Sequence, residues 1–197
     1  MRLSDHPDLR PIRSRATVFT GKVWNVVRDV VDLGTAGEVT RDFIDHPGAV
    51  ATVALDEDER VVLVQQYRHP TGTVEWEIPA GLRDVDGEPP ALTAARELAE
   101  ETDLRAGSWQ HLLEVATTPG SSTERITIFL ARDLHPVPGA DRHVRQGEEL
   151  GMPIARFPLD EVREAVLTGR IRNATLAVAV LATCAARDSG WETLTPA

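Results

Sequence analysis

The sequence predicts an α+β fold built around a mixed sheet, and three observations carry that prediction. Strand-like segments dominate the first eighty residues. After Pro89 and Pro90 the composition switches to good helix formers. Later strands and helices then follow without strict βαβ alternation, so the class is α+β or a mixed-sheet sandwich.

Each element has a local reason. Val23–Leu33 and Glu38–Asp45 flank a turn at Gly34–Gly37 and read as a hairpin. Ala49–Leu55 and Val61–Tyr67 flank the acidic turn Asp56–Arg60 and read as a second hairpin. Val74–Ile78 is a further short strand, and Ala91–Glu101 is the first helix. Trp109–Ala116 and Ile126–Ala131 return to strand composition, and Pro136–Gly151 is a polar loop. Met152–Phe157 is the last strand. Asp160 is placed to cap a helix running to Thr168, with Gly169 as its stop. Asn173 is placed to cap another running to Arg187. Residues 1–15 are charged, contain Pro7 and Pro11, and are assigned to no element.

Composition narrows the function. A chain of 197 residues suits one domain, at roughly 100–200 residues per domain. Apolar residues make up 42% and charged residues 26%, which excludes wholesale disorder. The net charge is −10, the opposite sign from a general nucleic-acid binder, so no nucleic-acid partner is expected. An anionic substrate would then need metal cations or a local cluster of arginines. Cys184 is the only cysteine, which rules out an internal disulfide and a cysteine-based zinc site. It lies in the apolar run Thr175–Ala186, too short to span a bilayer, and is expected to be buried. No signal-peptide pattern opens the chain, so the expected location is the cytoplasm, with no membrane partner.

The densest chemical signal is Arg96-Glu97-Leu98-Ala99-Glu100-Glu101. On a helix Glu97 lies three and four residues before Glu100 and Glu101, so the three carboxylates share a face. Like charges at that spacing repel unless a cation sits among them. Oxygen donors of this kind suit a hard cation, Mg²⁺ or Mn²⁺. Alone, an acidic triple is more often a solvated helix face. What changes the reading is Pro79-Ala80-Gly81 upstream, then Gly87-Glu88, then seven residues before Arg96.

With these residues the chain resembles the Nudix hydrolase family. Its signature is Gly, five residues, Glu, seven residues, Arg-Glu, an aliphatic residue, any residue, Glu-Glu, any residue, Gly, aliphatic. The chain departs from it twice. Six residues rather than five separate Gly81 from Glu88, and Asp103 stands where the second glycine is expected. The insertion falls in a loop, which absorbs it. Asp tolerates the left-handed conformation that ends such a helix. Gln65-Gln66-Tyr67-Arg68-His69, Trp76-Glu77-Ile78-Pro79-Ala80-Gly81, and Pro119-Gly120 followed by Glu124 look like the ADP-ribose pyrophosphatase branch, in which a proline lies sixteen residues past the final glycine position, as Pro119 does past Asp103. The resemblance covers roughly Thr17 to Arg187.

The resemblance implies an α/β/α sandwich with a mixed sheet. It divides the chain into a strand extension over 1–45 on the adenine and dimerisation side, a hydrolase domain over 46–190, and a tail over 191–197. It implies Mg²⁺-dependent cleavage of ADP-ribose to AMP and ribose 5-phosphate, by a homodimer. Glu97 and Glu101 are the main metal ligands and catalytic carboxylates, with Glu100 in support and the Ala80 carbonyl completing the set. Glu148 or Glu149 assists the attacking water, unless both are surface charges. Arg96 and Glu88 form an ion pair that orients the helix beside Gly81. Substrate contacts fall to Trp24 and Arg28 for adenine, Arg68 for phosphate and Glu124 for the terminal ribose, with Glu77 a further substrate-binding residue. Plainer roles stay open: core or interface packing for Trp24, an edge-strand surface for Arg68, and a bridge to Arg125 for Glu124. Two further functions also stay open: hydrolysis of another nucleoside diphosphate sugar, such as GDP-mannose or ADP-glucose, and non-catalytic binding of ADP-ribose.

Overall fold

The structure is a computed structural model that describes residues 3–145, 147 and 150–197. The chain falls into two units, one running to Pro47 with Thr118–Glu124 and the other made of Gly48–Thr117 with Arg125–Ala197.

The first unit is an antiparallel sheet of β1 (Ile12–Thr20), β2 (Asn25–Asp32) and β3 (Glu38–Asp45), in that spatial order. The expected hairpin is β2–β3, in register from Asn25 opposite Asp45 to Asp32 opposite Glu38. Its turn is a short 3₁₀ segment over Gly34–Ala36, closed by Gly37 at φ +81°, where a side chain would be strained. β1 was not anticipated. Every one of its residues is exposed, so no buried face imposes an apolar alternation that a sequence reading can detect. Polar pairing ties it down instead. The Arg15 guanidinium forks onto the buried Asp29 carboxylate of β2, at 2.8 and 2.7 Å. That hydrogen bonding holds the Asp29 carboxyl below the usual range.

The second unit holds a five-stranded mixed sheet in the order β11-β8-β9-β4-β7, from Thr195–Pro196 (β11), Leu104–Ala116 (β8), Arg125–Pro136 (β9), Ala49–Ala54 (β4) and Ala80–Leu82 (β7). β4 runs parallel to β9 and antiparallel to β7. A three-stranded sheet in the order β10-β5-β6 lies beside it, from Ile154–Pro158 (β10), Arg60–Arg68 (β5) and Thr73–Glu77 (β6). The helices are α1 (Pro90–Thr102), α2 (Leu159–Leu167) and α3 (Ala174–Asp188).

Side-chain alternation along β4 and β9 sorts these layers. Val50 and Phe129 meet Ala94 of α1, and Ala54 and Ala131 meet Leu98. The alternate residues Ala51, Val53, Ile128 and Leu130 turn the other way. They pack with Leu63 of β5, Val162 of α2, and Leu176 and Val180 of α3. The mixed sheet therefore lies between α1 on one face and α2 with α3 beyond the other. β4 and β9 are buried on both faces, which is why they read as continuous apolar runs.

The second expected hairpin does not form. The acidic turn is real, with Asp56 accepting from the backbone N–H groups of Asp58 and Arg60. Beyond one bridge, Leu55 to Val61, the strands diverge into different sheets. Each is apolar on both faces and finds two other strand neighbours. Asp160 also departs from its expected place. α2 begins at Leu159 after Pro158, so Asp160 lies inside the first turn and pairs with Arg187 and Arg163. Asn173 does cap α3, its Oδ1 accepting from Leu176 N–H at 3.0 Å. Cys184 is buried in the core, and burial pushes its thiol pKa up. No helix among the described residues is long and apolar enough to cross a membrane.

Candidate active site

The site is built on α1 and the short strand β7. Pro89 is extended and Pro90 opens the helix, where its missing N–H costs nothing. Ala94 and Leu98 recur at helical spacing on the buried face, and Glu97, Glu100 and the buried Glu101 follow at the three- and four-residue spacing that puts them on one flank. The helix ends at Asp103 in the left-handed conformation, φ 57° and ψ 29°, as the substituted glycine position requires. The extra residue before Glu88 is taken up by a turn in which Glu88 N–H donates to the Val85 carbonyl and Gly87 adopts φ +75°.

β7 is held antiparallel to β4, with Ala80 opposite Ala51 and Gly81 opposite Val50. From there Ala80 N–H donates to Glu101 Oε2 at 3.0 Å. Gly81 lies so close to Glu97 that an added Cβ would overlap its carboxylate. The strand backbone thus receives two of the expected carboxylates.

Arg96 organises the rest. Its Nη1 donates to Glu97 Oε1 at 2.7 Å and lies 3.5 Å from Glu100 Oε2, while Nη2 reaches Glu88 Oε2 at 3.2 Å. The Glu88 partnership is the one expected, and it holds the Glu88 carboxyl below its ordinary range. Glu97 goes the other way. Burial raises its pKa; Arg96 opposes the shift and Glu100 adds to it. Arg96 is thus shared among Glu88, Glu97 and Glu100.

Carboxylate oxygens of this kind suit a hard divalent cation, and burial disfavours the ionised form of Glu97 unless a cation offsets it. Among the described residues, no group of three or more His, Cys, Asp or Glu side chains is arranged to hold a metal as it stands. Glu97 is engaged by Arg96 and Glu101 by Ala80 N–H. A cation would compete with the first of these contacts.

The raised Glu97 pKa gives a stability prediction for metal-free protein. The folded state holds the Glu97 proton more tightly than the unfolded state, whose value is near the ordinary 4.5. Its contribution is therefore complete below that value and is lost as pH rises through the folded-state pKa. In chelator, the wild type should lose stability relative to Glu97→Gln across that window. Parallel denaturant melts of the two proteins between pH 4 and pH 8 check this, and parallel curves would exclude it.

The other expected residues are placed as follows. Arg68 forks onto Glu77 at 2.7 and 2.6 Å, and Glu77 is buried at the end of β6, three residues before Ala80. Trp24, Arg28 and Glu124 belong to the first unit. Trp24 is 39% exposed, so core packing within this chain is not its role. Arg28 forks onto Asp42 at 2.7 Å, and Glu124 faces His46 at 3.5 Å, while Arg125 reaches Glu114. Glu148 and Glu149 lie outside the described residues. A residue that sequence reasoning missed is Arg145, which contacts the end of α1 from a loop without periodicity or motif.

Comparison with known proteins identifies the family. A family model of the NUDIX domain matches residues 45–177. The chain is 44% identical over 169 residues to an ADP-ribose pyrophosphatase of Mycobacterium tuberculosis, covering 86% of this chain and 80% of that one. It is 33% identical over 163 residues to a methanol dehydrogenase activator of Bacillus methanolicus, covering 83% and 86%. Among solved structures, an ADP compounds hydrolase superposes with a TM-score of 0.76 over 95% of this chain and 99% of that one, at 22% identity, a likeness of fold. With the box residues on one helix flank, Gly81 against Glu97, and a family match over most of its length, the chain belongs to the Nudix family.

Proposed function

We propose that this protein is a divalent-metal-dependent pyrophosphatase that hydrolyses ADP-ribose to AMP and ribose 5-phosphate, with Mg²⁺ as the metal and Mn²⁺ as a substitute. The observation that carries the chemistry is the carboxylate set of α1 on the Ala80-Gly81 backbone, with burial disfavouring the ionised form of Glu97. The substrate assignment is supported by the 44% identical ADP-ribose pyrophosphatase.

In this reading Glu97 and Glu101 are the main metal ligands, and Glu100 and the Ala80 carbonyl complete the set. The bound cation supplies positive charge to the phosphoryl oxygens and lowers the pKa of water. The side chains do the rest. Arg68, oriented by its fork with Glu77, binds the diphosphate. Trp24 and Arg28 hold adenine, and Glu124 holds the terminal ribose. Glu148 or Glu149 takes the proton from the attacking water. The new P–O bond forms as the bridging P–O bond breaks, and the bridging oxygen leaves with the other phosphate. Arg96 keeps α1 oriented through Glu88. A homodimer joined through residues 1–45 is part of the proposal. Its support is β1, exposed along its whole length with Ile12, Val18 and Phe19 among its residues.

The test is AMP release from ADP-ribose with Mg²⁺, with Mn²⁺ and with chelator, beside GDP-mannose and ADP-glucose. AMP formation that chelator abolishes, with ADP-ribose the best substrate, is the expected result. Faster GDP-mannose turnover would overturn the substrate assignment alone. Tight ADP-ribose binding without turnover would make the protein a binding module.

A further inference from the structure

The residue at position 103 departs from the family pattern, and the structure shows what the departure contributes. Asp103 ends α1 and receives the loop that follows β9 at two points. Val137 N–H donates to the Asp103 backbone carbonyl at 2.8 Å. Eight residues later, Arg145 Nη2 donates to Asp103 Oδ2 at 2.7 Å. The same guanidinium donates through Nε to the Glu100 carbonyl at 3.0 Å. Both side chains of the pair are 22% exposed. The Glu100 carbonyl is among the last of α1, which lack helical partners and carry partial negative charge. An arginine is well suited to that position. Within the loop, Arg142 Nε also donates to the Val137 carbonyl at 3.2 Å.

A glycine at 103 would adopt the left-handed conformation more easily than aspartate. It would keep the backbone bond to Val137 and lose the carboxylate that holds Arg145. The aspartate therefore serves the loop rather than the helix end. In sequence, Glu148 and Glu149 follow Arg145 by three and four positions, so this anchor is where the segment that carries them begins.

We infer that Asp103 and Arg145 form a clamp that fixes the loop over 137–145 on the C-terminal end of the carboxylate helix, and that Arg145 is a positioning residue for the hydrolysis. The inference rests on the function proposed above, in which Glu148 or Glu149, next in sequence after that loop, takes the proton from the attacking water. Misplacing a catalytic group by about an ångström can cost on the order of 100-fold in rate, so loosening one anchor of two should cost roughly 5- to 20-fold.

The test compares Asp103→Gly, Arg145→Ala, Arg145→Lys and the Asp103→Gly/Arg145→Ala double variant with wild type. Asp103→Gly is expected to melt at or above the wild-type temperature, yet to lose kcat, with KM and the Mg²⁺ half-saturation within about twofold. Arg145→Ala should lose kcat by the same factor, Arg145→Lys should recover part of it, and the double variant should be no worse than either single change. A second readout does not depend on turnover: thermolysin should cut between residues 137 and 151 faster in Asp103→Gly than in wild type. Unchanged kcat in Asp103→Gly overturns the positioning role, and unchanged cleavage overturns the clamp. If wild type itself fails to hydrolyse ADP-ribose, the proposed function falls, and the cleavage comparison still decides the clamp.

Discussion

Glu97→Gln is expected to lower kcat for ADP-ribose by on the order of 1,000-fold while the protein stays folded. The amide keeps the volume and the packing against Gly81. It removes the negative charge that the proposed cation would need, at a carboxylate whose ionised form burial disfavours. Burial already makes an ionised group at this position costly, and Arg96 offsets that only in part. In the proposed function the charge serves the reaction at the expense of the fold, a trade common at active sites. In chelator at neutral pH, Glu97→Gln should melt at or above the wild-type temperature. With Mg²⁺ added, wild type should gain thermal stability through metal binding and the variant should gain much less. A near-wild-type kcat in Glu97→Gln would sink the metal assignment of the helix.

Gly81→Ala is expected to cost kcat about 100-fold, and for a different reason. The backbone of Gly81 is not in the left-handed region, so conformation is not what demands glycine there. Space is. An added methyl overlaps the Glu97 carboxylate. The strand cannot retreat cheaply, because Gly81 is paired with Val50 and Ala80 with Ala51 in the mixed sheet. What yields is the far end of the glutamate side chain, carrying the carboxylate away from its place. Overpacking of this kind costs roughly 1–3 kcal/mol of stability, so the fold should survive. Steady-state kinetics with a Mg²⁺ titration check it: kcat should fall and the Mg²⁺ requirement should rise. If activity is retained with an unchanged Mg²⁺ requirement, the close approach of Gly81 to Glu97 has no catalytic purpose.

The elements legible in the sequence are those whose cause is local. Glu97, Glu100 and Glu101 share a flank because three and four residues make one helical turn. Asn173 caps α3 through a bond to Leu176, three positions away. Asp103 adopts the left-handed conformation because the helix stops there, and Gly34–Gly37 turns the first hairpin. The Arg96–Glu88 pair was also legible, since the family pattern spaces those two residues. The failures share the opposite property. β1 buries none of its residues, so no apolar alternation marks it as a strand. Ala49–Leu55 and Val61–Tyr67 are joined by a real turn, but their neighbours in the sheets come from residues 80–82, 125–136, 73–77 and 154–158. Asp160 has a capping residue's chemistry, yet Pro158 and a bond from Leu159 N–H to the Glu59 carbonyl start the helix two residues earlier.

The same division runs through the site. By itself the sequence determined which carboxylates lie together, which arginine accompanies them and where the helix begins and ends, since each depends on spacing along one segment. Only the tertiary structure decided that Gly81 lies against Glu97, that Arg68 is held by the buried Glu77, and that Arg145 returns over a long loop to the end of α1. Those contacts join residues between nine and forty-five positions apart. They exist because apolar burial of β4 and β9 on both faces sets where β7, α1 and the loop after β9 come to rest, and hydrogen bonds between distant residues form only after that packing has brought them within reach.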